Sequence, residues 1–244
     1  MPNLCAIDFG VSNFAAVVCN DGSSMLYKGG AVLSECQWFH KKRAKAVSII
    51  TKGHEHRHTS SRYLSALSRH HADFIKDQCH KISRSIINYC MEHQAGTLVL
   101  GENKRWKQDC DMGSQNNQNF VSMPTGLLKQ MIIYKASDAG IKTIMQEESY
   151  TSQADITAMD YIPVYGVDAE NAVFSGRRIS RSLYRCFNGM IINADCNGAA
   201  NIMRKAITDA WNSITDFSFL ASPEVSGFHE LNPLSISVKG IAAA

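Results

Sequence analysis

Three acidic residues stand in settings from which they could act together. Asp8 closes a short apolar run and precedes a turn, in Ile7-Asp8-Phe9-Gly10. Glu102 follows a second apolar run, in Leu98-Val99-Leu100-Gly101-Glu102. Asp195 opens a helical pattern, in Asn193-Ala194-Asp195-Cys196-Asn197-Gly198. Carboxylates gathered at the ends of neighbouring strands offer the hard oxygen ligands that Mg2+ or Mn2+ takes. Two such ions about 3.5–4 Å apart can activate water at a phosphodiester and steady the departing oxygen. Asp8, at the end of the first strand, suits the bridging position. Glu102 and Asp195 suit the outer positions, and a helix start favours the charge of Asp195. Each acid also has an ordinary structural role: Asp8 as a turn junction, Glu102 as a partner of Lys104 or Lys107, Asp195 as an N-cap. Their corresponding places on three separate elements favour a shared one.

Those elements follow from pattern. Leu4–Asp8, Phe14–Cys19 and Met25–Lys28 read as short strands, the second and third joined by a turn at Asn20-Asp21-Gly22-Ser23. Helices are predicted over 34–50, with Ser34 as N-cap, and over 61–93, with 52–61 a polar loop between them. The two helices form an antiparallel hairpin. The wholly apolar 97–100 suits a buried central strand. Residues 103–119 are polar and irregular. A helix over 120–139, with Pro124 near its first turn and Gly140 at its end, leads to a strand at 142–145. Residues 154–172 read as loop, 173–193 as a hairpin turning at Asn188-Gly189, and 195–211 as a helix. Periodicity is lost after 211, so 212–244 reads as a loosely ordered tail. The fold class is α/β: a mixed sheet flanked by helices, with a basic helical hairpin over 34–93 inserted in a single domain spanning 1–211.

The chain has 244 residues and a net charge of +3, and the charge is unevenly spread. Between 40 and 84 lie eleven Lys and Arg, including Lys41, Lys42, Arg43 and Lys45, against three acids, with seven of the nine His. Such a block suits a phosphate backbone, although a solvated helix face gives the same pattern. Arg177, Arg178, Arg181 and Arg185 could grip phosphates in the same way. Lys104 and Lys107 flank Trp106, which could stack on a base or anchor its loop. Glu147 and Glu148 end a strand near the acids, as extra ligands or as capping support. No apolar run reaches the length of a membrane helix, and no signal-peptide pattern starts the chain. The eight Cys are scattered without a Cys-x-x-Cys, which reads as reduced thiols in a cytoplasmic protein, with no zinc expected.

The chain resembles the RuvC nuclease portion of TnpB, the OrfB-type protein of insertion sequences, a family related to type V CRISPR nucleases. The resemblance runs through Ile7–Ala15, Lys41–Lys45, Gly101–Gln108, Asn116–Phe120, Tyr134-Lys135-Ala136, Glu147–Ser152 and Ile192–Ile202. It implies an RNase H-like fold and an Mg2+- or Mn2+-dependent, RNA-guided DNA endonuclease. The partners would be DNA and, as in the family, a guide RNA, with no membrane. The family's Asp-Glu-Asp triad falls on Asp8, Glu102 and Asp195. Two departures stand out. Met1 comes seven residues before Asp8, so the family's N-terminal guide- and target-binding region has no counterpart here. The interval 173–193 holds a basic hairpin where the family has a zinc ribbon.

Two other classes compete. A DNA- or RNA-binding remnant without cleavage would keep the basic surface and lose the chemistry. An actin-like ATPase or sugar kinase would share Asp8-Phe9-Gly10 but needs a second Asp-Gly phosphate loop and an adenosine-binding Gly pair, which the sequence lacks.

Overall fold

The computed structural model describes residues 1–52, 60–102, 122–164, 166 and 172–232. It opens with an antiparallel meander, β1 (Asn3–Asp8), β2 (Asn13–Cys19) and β3 (Ser23–Lys28). The β2–β3 turn is set by Gly22 at φ 93° and by Asp21, whose Oδ1 accepts from the Ser23 backbone N–H at 3.0 Å. Helices α1 (Gly30–Thr51) and α2 (Arg62–Glu92) follow, then β4 (Ala95–Glu102), α3 (Thr125–Asp138) and β5 (Lys142–Glu147). Three short strands, β6 (Arg177–Arg178), β7 (Leu183–Arg185) and β8 (Ile191–Asn193), lead into α4 (Ala194–Ala206), and the described chain closes with β9 (Glu224–Ser226) and α5 (Phe228–Leu231).

The central sheet has the order β5-β4-β1-β2-β3-β9. β1 pairs antiparallel with β2 and parallel with β4; β5 and β9 extend the two sides in parallel. Side chains alternate between two cores. Cys5, Ile7, Leu98 and Leu100 face the core shared with α1, α2 and α3. Ala6, Ala16, Val18 and Val99 face the core shared with α4 and the β6–β8 sheet. Lys135 ties α3 to α2: its buried ammonium donates to the His80 carbonyl at 2.7 Å and the Ser83 hydroxyl at 2.6 Å.

The expected mixed α/β layout is present, and several details differ. α1 begins at Gly30, four residues before Ser34, because Gly29 caps it by backbone alone. A Cβ at Gly29 would strike the Val11 carbonyl, so the chain can turn closely there only through glycine. Ser61 does cap α2, accepting from the Leu64 N–H at 3.1 Å. α1 packs against α2, with the Phe39 and His71 rings stacked at 4.1 Å. Most of the predicted 52–61 loop lies outside the described residues. α3 begins at Thr125, with Pro124 as its N-cap beside the first turn as expected, and the predicted helix start at 120 lies outside the described residues. The hairpin over 173–193 is a three-stranded sheet, with the predicted turn at Gly189 (φ 84°) between β7 and β8.

Two further expectations are corrected. Cys5 and Cys19 are directly opposite in the β1–β2 register, Cα atoms 4.1 Å apart, and form a disulfide. Adjacency across an antiparallel pair brought together two cysteines whose sequence spacing carried no such signal. Cys36, Cys79, Cys90, Cys186 and Cys196 are free and buried. The loosely ordered tail does not hold for residues 212–232. α4 ends at Ala206, and beyond it Trp211, Phe217 and Leu220 are buried in the α4-side core, while β9 covers the edge of β3.

Candidate active site

Alternation along β1 turns Asp8 to the same face as Ala6, toward α4. There Gly198 receives it: a Cβ at Gly198 would lie 2.7 Å from Asp8 Oδ2. A glycine in the middle of a helix usually costs stability, and here its absent side chain is the seat of a carboxylate. Asp195 lies one turn earlier on α4, in the first turn of the helix. The N-cap is Asn193, whose side chain accepts from the Asp195 and Cys196 backbone N–H groups at 3.0 and 3.1 Å. Asp195 is therefore spared capping duty. Its Oδ2 accepts from Asn13 Nδ2 at 2.7 Å, and Asn13 Oδ1 accepts in turn from Lys28 Nζ at 2.9 Å. Its Oδ1 accepts from the Arg178 guanidinium at 3.0 Å.

Glu102 ends β4 on the other face. Leu98 and Leu100 point to the α1–α3 core, so Glu102 shares the α3 side, while Gly101 faces α4. A Cβ at Gly101 would lie 2.5 Å from Glu148 Oε2 and 2.9 Å from Ile202 of α4. Glu148, just past β5, thus lays its carboxylate over the bare backbone of Gly101 on the face that Asp8 uses. Glu147 does something else. It accepts from the Ser149 N–H at 2.6 Å and pairs with Lys205 at 2.7 Å.

Burial pushes the Asp8 carboxyl well above the ordinary range, and the charges of Glu148 and then Asp195 add to it; Arg178 and Lys129 pull the other way. Burial raises Glu148 too, opposed by Lys129 and reinforced by Glu147 and Glu102. Lys129 of α3 donates to the Gly101 carbonyl at 2.5 Å and stands 4.8 Å from the centre of the Phe9 ring.

The donor set is all carboxylate oxygen, which suits a hard divalent cation. Among the described residues, no three His, Cys, Asp or Glu side chains are grouped so as to hold an ion. Asp8, Asp195 and Glu148 share one face, Glu102 lies across β4, and two cationic side chains, Arg178 and Lys129, balance the charge. Sequence reasoning treated Glu148 and Glu147 alike and gave Lys129, Asn13 and Gly198 no role. The neighbouring Gly101-Glu102 and Asn197-Gly198 were the available signal: bare backbone beside acids.

The other predicted residues lie apart from this cluster or outside the described chain. Lys41, Lys42, Arg43 and Lys45 are exposed along α1, with Lys42 Nζ 6.0 Å from the Trp38 ring centre. Arg177 and Arg181 are exposed on the small sheet, and the Arg181 carbonyl accepts from the Arg178 guanidinium at 2.6 Å. Arg178 is thus turned inward to Asp195. Lys104, Trp106 and Lys107 lie outside the described residues.

The segment from Ala154 to Asp160 is fastened to α4 and to Ser175 by buried polar groups. Asn197 and Asn201 donate to the Ala154 carbonyl at 2.8 and 2.7 Å. Asp160 accepts from the Asp155 N–H at 2.9 Å, the Ser175 N–H at 2.8 Å and the Ser175 hydroxyl at 2.6 Å. Asp160→Ala would leave these donors unpaired and is expected to cost about 3 kcal/mol, read by chemical denaturation. A loss below about 1 kcal/mol would mean that other contacts hold this corner.

Residues 3–107 match the OrfB_IS605 family, described as "Probable transposase", and residues 126–202 match the Cas12f1-like TNB domain. The chain is 32% identical over 132 residues to the CRISPR-associated endodeoxyribonuclease Cas12f1 of Sulfoacidibacillus thermotolerans, covering 54% of this chain and 27% of that protein. It is 25% identical over 219 residues to the TnpB-like protein ORF457 of Acidianus two-tailed virus, covering 86% and 43%. The fold is similar to that of Cas12f1 in a complex with sgRNA and target DNA (TM-score 0.59, 17% identity, 84% of this chain and 50% of that one). A CRISPR-Cas12f ternary complex gives a TM-score of 0.57 at 15% identity over 82% and 38%. The chain is therefore similar to OrfB-type, TnpB-like proteins and to Cas12f. The chain spans less than half the length of the curated relatives it matches. No described helix is long and apolar enough to cross a membrane.

Proposed function

We propose that the chain carries an RNase H-like, RuvC-type nuclease domain that hydrolyses DNA phosphodiesters with divalent metal ions. One observation carries this reading: the Asp8 carboxylate at the end of the central strand is seated on Gly198 beside Asp195. The antiparallel β1-β2-β3 meander followed by parallel β4 and β5 supports the fold assignment. Relatives named as endodeoxyribonucleases, and solved with sgRNA and target DNA, support nucleic acid as substrate and partner, and guidance by RNA.

Asp8 and Asp195 would hold the metal, with Glu102 as a further ligand, and Mg2+ or Mn2+ would supply Lewis-acid stabilisation of the phosphate's charge. The rest is work for the chain's own residues. Asn13, itself fixed by Lys28, orients the Asp195 carboxylate through its Nδ2. Asn193 satisfies the helix start, so the Asp195 oxygens are turned to Asn13 and Arg178 and not to the helix N–H groups. Arg178 balances the Asp195 charge and offers a guanidinium to a phosphate entering beside it. The exposed Lys41, Lys42, Arg43, Lys45, Arg177 and Arg181 supply backbone contacts for the nucleic acid.

The test is cleavage of labelled single- and double-stranded DNA with Mg2+ or Mn2+, comparing wild type with Asp8→Ala. Loss of at least about 10³-fold in the variant is expected. A second reading, binding without cleavage, is favoured by the place of Glu102 on the α3-side face of β4 and by Arg178 on Asp195. DNA binding with no cleavage by either protein would establish that reading.

A further inference from the structure

The small sheet has an outer face that the acid cluster does not use. Tyr184 and Ile192 are buried on its inner face, so alternation turns their neighbours outward. Arg177 and Arg185 are directly opposite across the β6–β7 pair, and both are exposed. Like charges directly opposite on a sheet are destabilising. Among the described residues no acid pairs with either arginine, whereas Arg178 beside them is paired with Asp195. The chain supplies no carboxylate nearby in sequence, since no Asp or Glu lies between Glu170 and Asp195.

The two arginines line a cleft of about 410 Å3. That is within the roughly 300–1,000 Å3 of small-ligand sites. Two aromatic rings, Phe174 and Phe187, line it with them. Phe187 is 60% exposed, yet its backbone is fixed: its N–H donates to Oδ2 of the wholly buried Asp155 at 2.7 Å. A large apolar ring is thus held out in water, from a firm support, beside two unpaired cations. At Gly176 an added Cβ would lie 2.5 Å from the Tyr184 ring and 2.8 Å from the Arg185 carbonyl, so β6 lies this close to β7 only through glycine. Phe174 links the aromatic wall to the segment that follows Glu148. Its ring is stacked with that of Tyr150 at 6.4 Å, and Tyr150 holds φ at 64°. A non-glycine residue in the left-handed region is strained, and such residues gather at binding sites.

Guanidinium groups take phosphates, and aromatic faces take unpaired bases. We propose that this cleft binds an unpaired nucleotide of a single-stranded nucleic acid, its phosphate between Arg177 and Arg185 and its base stacked on Phe187. This rests on the reading of nucleic acid as the partner and is independent of the metal. A duplex or an acidic polypeptide would satisfy the arginines and leave Phe187 in water.

The experiment is binding of fluorescein-labelled oligonucleotides to the full chain in EDTA, followed by anisotropy, so that cleavage plays no part. The probes are oligothymidylate, the same strand with abasic sites, oligouridylate and a hairpin duplex. Phe187→Ala is expected to weaken single-strand binding by at least about fivefold and to leave duplex binding within about twofold. Phe187→Tyr keeps a stacking face and stays within about twofold on both. Wild type binds the abasic strand at least about fivefold more weakly than the intact one, and Phe187→Ala does not tell them apart. The double variant Arg177→Ala/Arg185→Ala lowers the salt slope of single-strand binding by about 1.4. A preference for thymidylate or for uridylate names the strand the cleft takes, and either bears the proposal out. A single-strand loss under twofold in Phe187→Ala, an equal loss on the duplex, or competition by polyglutamate as effective as by oligothymidylate overturns it. Should Phe187→Ala fail to fold, the abasic strand on wild type and the double arginine variant decide by the same limits. Wild type that binds no single strand also overturns it, while Mg2+-dependent cleavage lost in Asp8→Ala decides the nuclease reading separately.

Discussion

Gly198→Ala is expected to lower DNA cleavage by about 10²-fold while leaving the melting temperature close to wild type. The two effects come from the same methyl group. In a helix interior Ala is favoured over Gly by about 1 kcal/mol, so the backbone of α4 gains from the change. The added carbon would stand 2.7 Å from Asp8 Oδ2, closer than real side chains approach one another, so the carboxylate must move. Asp8 has little room to do so, since β1 is held on both sides by β2 and β4. A displacement of the order of an ångström at a carboxylate proposed to hold the metal is enough for the loss named. Cleavage kinetics beside a thermal melt, with Mn2+ binding as a third reading, test it. Wild-type Mn2+ affinity in Gly198→Ala would mean that the Asp8 seat is not where the ion goes.

Trp211→Ala is expected to destabilise the protein by about 3–5 kcal/mol. Trp211 is 2% exposed in the α4-side core. Its indole N–H donates to the Ala200 carbonyl at 3.1 Å, and its ring meets Phe217 edge-on at 5.5 Å and Phe219 at 6.2 Å. The truncation would open a cavity behind the helix that carries Asp195 and Gly198, and remove the indole's hydrogen bond to the Ala200 carbonyl. Guanidinium denaturation measures the loss, and Val173→Ala, at an 81% exposed position, is the control expected within about 0.5 kcal/mol of wild type. A cost under about 1 kcal/mol for Trp211→Ala would show that residues past α4 do not hold the site helix in place.

These two positions show how far the sequence could be read. The β1–β3 meander is legible because its turns carry Gly10 and Asn20-Asp21-Gly22 between apolar runs. Ser61 is legible as a cap because an amphipathic run starts behind it. The acids Asp8, Glu102 and Asp195 stand out because each sits at the boundary of an element. Which face each acid takes is not legible in 97–100, where every residue is Thr, Leu or Val and a period of two leaves no trace. That is why the placing of Glu102 on the α3 side and of Glu148 over Gly101 on the Asp8 side could not be read from the sequence. Gly29 hides its capping role because the reason for it, the Val11 carbonyl, lies eighteen residues away in the chain. The packing of Phe217 and Leu220 depends on distant partners in α4 and β3, so no local periodicity announces it.

The sheet order places the acids on strands of unequal standing. β1, under Asp8, has a hydrogen-bonded neighbour on either side, and α4, under Asp195, is clamped by buried asparagines. β5, which leads to Glu148, borders β4 alone and forms an outer edge of the sheet. Edges open at lower free energy than centres. The cluster thus has a firmly held side and a less firmly held one: Asp8 and Asp195 stand on elements fixed from more than one direction, and Glu148 follows a strand paired along one edge alone.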